Sequence, residues 1–148
     1  ADLVRRNCAL ARRMAERLSR APGVTILNEV VLNQVLARFT GSDGADPDAL
    51  TRDVIARVQA DGTCWAGGAV WQGQQVMRIS VSNWSTTEAD IDRSADAIIA
   101  CHVQATPRLR SGQAEARKHG DRLSKTDSVL LCFRGSYERR VASVRQST

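Results

Sequence analysis

The feature of this sequence that most restricts its fold is a predicted β-hairpin lying between two predicted helices. The hairpin consists of two β-rich runs, residues 63–71 and 75–83, which a tight turn around Gly73 joins. On the second run, three apolar side chains share one face, namely Met77, Ile79 and Val81. The other face carries Val76, Arg78, Ser80 and Ser82. The hairpin is therefore expected to turn its apolar face towards a layer of helices.

Three segments carry helical periodicity. In residues 3–20, a stripe repeats at steps of three and four and consists of Leu3, Asn7, Leu10, Met14 and Leu18. The second helix has clear end signals, because Asp46 suits the N-cap, Pro47 the first turn and Gly62 the position just past the end. The third begins after Trp84, where Ser85 and Glu88 have the spacing of a capping box. Its stripe consists of Ile91, Ala95, Ile98 or Ile99, and His102.

A second pair of β-rich runs, residues 24–27 and 30–39, lies between the first and second helices. The longer run alternates, with its more apolar face on the odd-numbered residues from Val31 to Phe39. The predicted order is helix, hairpin, helix, hairpin, helix. This order predicts an α+β fold, a small antiparallel sheet packed against helices. Gly67 and Gly68 within a strand suggest a β-bulge.

The charge changes sharply near residue 105. Residues 1–104 hold 11 Arg and no Lys against 12 acidic residues, a net charge of −1. Residues 105–148 hold 8 Arg and 2 Lys against 4 acidic residues, a net charge of +6. We therefore divide the chain into a domain at 1–104 and a basic, poorly structured tail at 105–148, disordered or partly helical.

Membrane and metal functions are not expected. The sequence has no run of 18 apolar residues, so no membrane span is predicted, and a cytoplasmic location follows by default. The four cysteines are far apart and form no C-x-x-C pair, which predicts separate reduced thiols and no metal site. Cys101 and His102 are adjacent, but side chains about 100° apart on a helix do not form a catalytic pair.

Four segments in this order resemble the end of group II pyridoxal-phosphate-dependent decarboxylases, the family of aromatic-amino-acid and glutamate decarboxylases. They read ILNEVVLNQV at 26–35, LTRDVI at 50–55, DGTCW at 61–65 and MRISVSNWSTT at 77–87. The resemblance covers roughly residues 1–104. It implies the C-terminal small domain of the aspartate aminotransferase-like fold, which closes over an active site in a large domain. It also implies pyridoxal phosphate as cofactor and an amino acid as substrate.

This chain departs from the family in its lysines. A lysine of the large domain forms the Schiff base with the cofactor, and there it follows a histidine. Here the only lysines are Lys118 and Lys125, outside the resemblance, and Lys118 precedes His119. No Gly-rich phosphate loop is present either. The chain alone is therefore expected to bind no cofactor and to have no catalytic residue. Its partner would be the missing large domain or a chain carrying it.

Arg78 is the one candidate substrate-binding residue. In relatives of this fold, an arginine on a strand of the small domain faces the active site and holds a substrate carboxylate. The predicted strand places Arg78 opposite the apolar face, among small polar neighbours. A guanidinium binds a carboxylate through two hydrogen bonds. A structural ion pair of Arg78 with an acid across the sheet or the domain interface is the alternative.

Besides the decarboxylase resemblance, two other interpretations stay open, and both concern the tail. Its basic side chains suit contacts with phosphates, which would make the chain a nucleic-acid-binding or partner-interaction module. Only Phe133 and Tyr137 are present there for base stacking, and no known binding motif is visible. A tail without selected function, produced by a frameshift or read-through, is the third interpretation. The amino acid that a complete enzyme would decarboxylate is not readable from this chain.

Overall fold

The computed structural model describes residues 2–41 and 44–106 of the chain. Its helices are α1 (Asp2–Ser19), α2 (Pro47–Asp61) and α3 (Glu88–Ala105). Its strands are β1 (Val24–Ile26), β2 (Gln34–Phe39), β3 (Gly67–Trp71) and β4 (Gln74–Ser80). The order helix, hairpin, helix, hairpin, helix is confirmed, and with it the α+β class.

The four strands form one antiparallel sheet in the order β1-β2-β4-β3. Each hairpin pairs internally, and the two hairpins join through β2 and β4, where Val35 lies opposite Ile79. The register along β3 and β4 is continuous from Gly67 to Trp71, so the predicted bulge at the glycines is wrong. Gly68 keeps the extended pairing and faces Ile55 of α2, with room for close contact.

The core lies between one face of the sheet and the helices. Helix α1 packs on β1 and β2, α2 packs on β2 and β4, and α3 packs against α1 and α2. The largest fully buried side chains are contributed by every layer and include Met14, Phe39, Val54, Met77, Ile79 and Ile98. Burying apolar surface on this scale is the main source of stability, at about 25 cal/mol per Å² removed from water.

The ends of α2 are as predicted. The Asp46 carboxylate accepts hydrogen bonds from the backbone N–H groups of Asp48 and Ala49, at 3.1 and 3.3 Å. Gly62 follows the helix with a φ of 76°, a left-handed conformation that favours glycine. A polar side chain at the start and a glycine at the end therefore fix both limits of the helix.

Two predicted boundaries are wrong. Helix α3 is capped two residues later than expected, by Thr87 and Asp90, because Ser85 instead donates its N–H and hydroxyl to the Asn83 carboxamide. Strand β2 begins only at Gln34. Val31, placed by its alternation in the strand, is 64% exposed in the preceding loop.

The remaining sequence predictions are tested only in part. None of the described helices combines the length and the apolar character needed to cross a bilayer. The cytoplasmic location and the division at residue 104 stay predictions. The tail predictions fall almost wholly on residues 107–148, outside the described residues, where Lys118 and Lys125 also lie.

Candidate functional site

Arg78 lies in the middle of β4, on the sheet face opposite the helices. Its neighbours across the strands are Leu36 of β2 and Gly67 of β3. Residues directly opposite each other in an antiparallel sheet share a face, so Gly67 adjoins the Arg78 side chain without a side chain of its own. The Arg78 side chain is half-buried on this face.

The neighbourhood of Arg78 is less polar than the sequence suggested. Val76 is fully buried and Leu36 nearly so, although both lie on the face away from the main core. The other arginine of this face, Arg38, is neutralised by Asp48, with Nη2 2.8 Å from Oδ1. The same Asp48 oxygen accepts the backbone N–H of Gln75 at 3.2 Å.

Arg78 itself makes no ion pair within residues 2–41 and 44–106. A structural pairing with an acid across the sheet is therefore not what holds it there. A half-buried guanidinium without a counter-ion attracts carboxylates, because partial removal from water strengthens the charge–charge interaction. The geometry suits a ligand with a planar carboxylate that approaches the open sheet face.

The loops beside the end of β4 form an apolar surface, which we call the apolar end. It consists of five exposed side chains, Leu3, Val4, Val31, Leu32 and Trp84. Asn33 and Val81 join the loops that carry Leu32 and Trp84, through Val81 N–H to Asn33 O at 2.9 Å and Asn33 Nδ2 to Val81 O at 3.0 Å. Arg6 brings the start of α1 to the same place by donating to the Trp84 carbonyl.

The adjacent Cys101 and His102 have structural roles. His102 is buried, with Nε2 3.1 Å from the Thr40 carbonyl oxygen and its ring 5.2 Å from that of Phe39. Burial raises the pKa of Cys101 and raises that of Cys64 to about 12, so both thiols stay protonated and are poor nucleophiles. Within the described residues, no cluster of three or more His, Cys, Asp or Glu side chains is arranged to hold a metal ion.

The described residues do not fit the cofactor chemistry of a complete decarboxylase. They contain no lysine, so none of them is able to form a Schiff base with the aldehyde of pyridoxal phosphate. The helices begin at ordinary side-chain caps, without a Gly-rich loop to cradle a phosphate between strand and helix. The described residues therefore leave the sheet face around Arg78 as the candidate binding surface.

No protein-family model and no curated protein matches this sequence. Solved structures do match. One is Oryza sativa TDC with PLP and tryptamine, at a TM-score of 0.67 and 16% identity, covering 72% of this chain and 24% of that chain. Another is Catharanthus roseus tryptophan decarboxylase in complex with L-tryptophan, at 0.65 and 15%, covering 70% and 22%. The chain has the fold of a domain of group II pyridoxal-phosphate-dependent decarboxylases.

A third solved structure also matches this chain. The glutamate decarboxylase domain of a diaminobutyrate–pyruvate transaminase and L-2,4-diaminobutyrate decarboxylase from Vibrio parahaemolyticus has a TM-score of 0.61 and 21% identity, over 70% of this chain and 22% of that one. The fold expected from the sequence resemblance is confirmed. This decarboxylase-like chain spans about a quarter of the length of the structures it matches.

Proposed function

We propose that this chain acts as the small domain of a pyridoxal-phosphate-dependent amino-acid decarboxylase and closes over an active site carried by a large domain. The cofactor and its lysine would belong to the large domain, and the chain alone would be inactive. Two facts support this proposal: the shared fold covers about a quarter of each matching enzyme, and the described residues contain no lysine.

The observation that carries the proposal is that Arg78, on the sheet face that the helices leave open, makes no ion pair with any described residue. Gly67, which has no side chain, lies opposite it on β3, and an incoming carboxylate would neutralise the charge of Arg78 through two hydrogen bonds. We propose that Arg78 holds the carboxylate of the amino-acid substrate when the two domains close. It would orient the substrate and take no part in proton transfer.

The apolar end supports a docked arrangement. Trp84 is 66% exposed, and Val31 and Leu32 are exposed almost as much. Clusters of exposed large apolar side chains mark interaction surfaces in soluble proteins. This surface borders the end of the strand that carries Arg78, so one partner would cover both. We propose the large domain, or a chain carrying it, as that partner.

The proposal is tested first by the intact mass of the protein in its native source. We expect these peptides in a polypeptide much larger than 16.2 kDa, or in a stable complex with a chain that carries the large domain. A 16.2 kDa chain that is monomeric and has no co-purifying partner would overturn the proposal.

The role of Arg78 is tested in the enzyme so obtained. Arg78→Lys keeps the charge but loses the two-point geometry, so we expect kcat/KM for decarboxylation to fall at least tenfold, mainly through KM. Arg52→Lys on the exposed surface of α2 is the matched control and should leave both constants unchanged. If the Arg78 variant and the control have the same kcat and KM, Arg78 is not part of the substrate-binding site.

Nucleic-acid binding, the alternative from the sequence, rests on residues of the basic tail outside the described region. No observation within residues 2–41 and 44–106 favours it, and two of the arginines of α1, Arg13 and Arg17, are engaged with acids of α3. The identity of the amino-acid substrate is left open by the small domain.

A further inference from the structure

A cavity of about 450 Å³ lies between α1 and the start of α3, on the helical side of the domain. Its size falls within the range of small-molecule sites. Most of its lining residues are of polar type, although about half of the lining surface is apolar, and the polar ones include Arg6, Arg12, Arg13, Thr86, Thr87 and Glu88. None of these residues lies in the sheet that carries Arg78, so an inference from the cavity does not rest on the proposed function.

Two of the three arginines have no ionic partner within the described part of the chain. Arg13 is engaged by Asp92 and Glu88, with N–O distances of 2.7 and 3.0 Å. Arg6 donates only to the Trp84 carbonyl, and Arg12 makes no ion pair there. Glu16 also contributes to the wall, so the lining holds three arginines against two glutamates. The two unengaged guanidinium groups make an anion the favoured occupant.

The first turn of α3 adds donors to this wall. The capping box of Thr87 and Asp90 satisfies the N–H groups of those two residues. The N–H groups of Glu88 and Ala89 come first in the helix and have no carbonyl partner within it. The positive end of this 18-residue helix lies at the cavity, where Thr87 and Glu88 form part of the wall.

Thr86 provides an independent sign of a ligand. It contributes to the cavity wall, is only 4% exposed, and its hydroxyl has no hydrogen-bond partner among the described residues. A buried hydroxyl without a partner destabilises a fold, so such groups are rare and are commonly satisfied by a water or a ligand. A ligand oxygen in the cavity would supply the missing partner after a small turn of the Thr86 side chain.

We propose that this cavity binds a phosphate group, either as free phosphate or as a small phosphate monoester. The cavity wall carries the guanidinium groups of Arg6 and Arg12 and lies at the first turn of α3, and these groups, with the Thr86 hydroxyl after its small turn, are the donors available to such an anion. A phosphate offers three or four acceptor oxygens and satisfies such a set better than a single carboxylate does.

The test is a titration of the full ¹⁵N-labelled chain with inorganic phosphate, followed by the amide resonances of Glu88 and Ala89. Chloride is exchanged for phosphate so that ionic strength stays constant, which removes screening effects. We expect saturable shifts at these two amides. Arg6→Gln and Thr86→Val should each weaken the affinity at least fivefold, whereas Arg52→Gln on α2 should match the original chain.

The same titration with glycerol 3-phosphate distinguishes the two forms of the ligand. Tighter binding than that of inorganic phosphate assigns the site to a monoester, and weaker binding assigns it to the free anion. Arg12→Gln serves as a second probe if the Arg6 variant loses its native spectrum. Shifts that rise linearly without saturation would overturn the proposal, as would shifts confined to residues 107–148 or unchanged affinity in the Arg6 and Arg12 variants.

Discussion

Arg13 of α1 and Asp92 of α3 face each other in a two-point ion pair. Arg13 Nε lies 2.7 Å from Asp92 Oδ1, and Arg13 Nη2 lies 2.8 Å from Oδ2. Arg17 stands 3.6 Å from the same Oδ1 atom and also binds Asp96 at 2.6 Å. The hydrogen bond from Arg13, helped by its charge, lowers the pKa of Asp92 and raises that of Arg13. This network joins the first helix to the last.

The Asp92 pair makes stability depend on pH in a defined direction. A carboxylate whose pKa is lower in the folded state stabilises the fold above its ordinary pKa, and the contribution is lost as the pH falls through the folded value. Asp92→Asn should therefore lower the urea midpoint at pH 7, and its difference from the original chain should shrink below about pH 4. Urea unfolding curves at both pH values provide the measurement.

Asp53→Asn is the control for that comparison. Asp53 pairs with Arg57 one turn away on the exposed surface of α2, at 2.9 Å. Such a pair contributes about 0.5 kcal/mol or less, so its loss at pH 7 should be small. A larger effect from Asp53 than from Asp92 would contradict the importance we assign to the pair between α1 and α3.

Gly23 is predicted to be the glycine of the domain least tolerant of alanine. Its φ is 76°, and an added Cβ would lie 2.4 Å from the Thr40 carbonyl oxygen and 2.9 Å from His102 Cε1. Gly73 has a φ of 77° but open space around it. Gly73→Ala should cost about 1–2 kcal/mol from backbone strain alone. Gly23→Ala should cost about 1–3 kcal/mol more, from the clash. Equal losses in thermal unfolding would show that the backbone yields at Gly23.

Thr86 and Thr51 form a matched pair for the cost of an unpaired hydroxyl. Both are buried, but the Thr51 hydroxyl accepts the backbone N–H of Phe39 at 3.2 Å, whereas that of Thr86 has no partner among the described residues. Thr51→Val should cost about 1–3 kcal/mol, because it leaves that N–H unsatisfied. In phosphate-free buffer, Thr86→Val should be neutral or stabilising by up to about 1 kcal/mol. Denaturant unfolding of both variants measures the contrast, and a clear loss for Thr86→Val would refute it.

The buried thiols should resist modification in the folded chain. Burial raises the pKa of Cys64 to about 12, which leaves a very small thiolate fraction at pH 8. We expect Cys64 and Cys101 to react with a thiol reagent far more slowly in native buffer than in about 6 M guanidinium chloride. This concentration of denaturant unfolds most domains. Mass mapping of the labelled peptides identifies the residues, and similar rates in both solvents would contradict the burial.

The elements that sequence reasoning placed correctly are those fixed by nearby residues. Asp46, Pro47 and Gly62 set the limits of α2 through contacts within one turn. The start of α3 was misplaced because Ser85 and Thr87 both suit a cap, and only the bond from Ser85 to Asn83 decides between them. The start of β2 was predicted too early in the sequence, because Val31 and Leu32 have strand propensity. In the structure both lie in a loop and are exposed to solvent.

The sites depend on contacts between distant parts of the sequence. Arg78 was singled out because of the family resemblance, and alternation on its strand predicts its face, but its lack of a counter-ion among the described residues required the positions of Arg38 and Asp48. The cavity at Thr86 was not predicted from the sequence. It exists only where the loop before α3 meets α1, which lies some 80 residues earlier in the chain. Two threonines before α3 and spaced arginines on α1 were the available signal.

The packing of α1 against α3 has a consequence for the order in which the domain assembles. The ion pair of Arg13 and Asp92 spans 79 residues, so α1 makes its contacts with α3 only after the rest of the domain that lies between them has been synthesised. Contacts this far apart in sequence slow folding, because a long loop must close before they form. A chain interrupted anywhere between α2 and α3 therefore leaves α1 and α2 without the helix that packs against both, and no smaller unit of this domain is expected to fold.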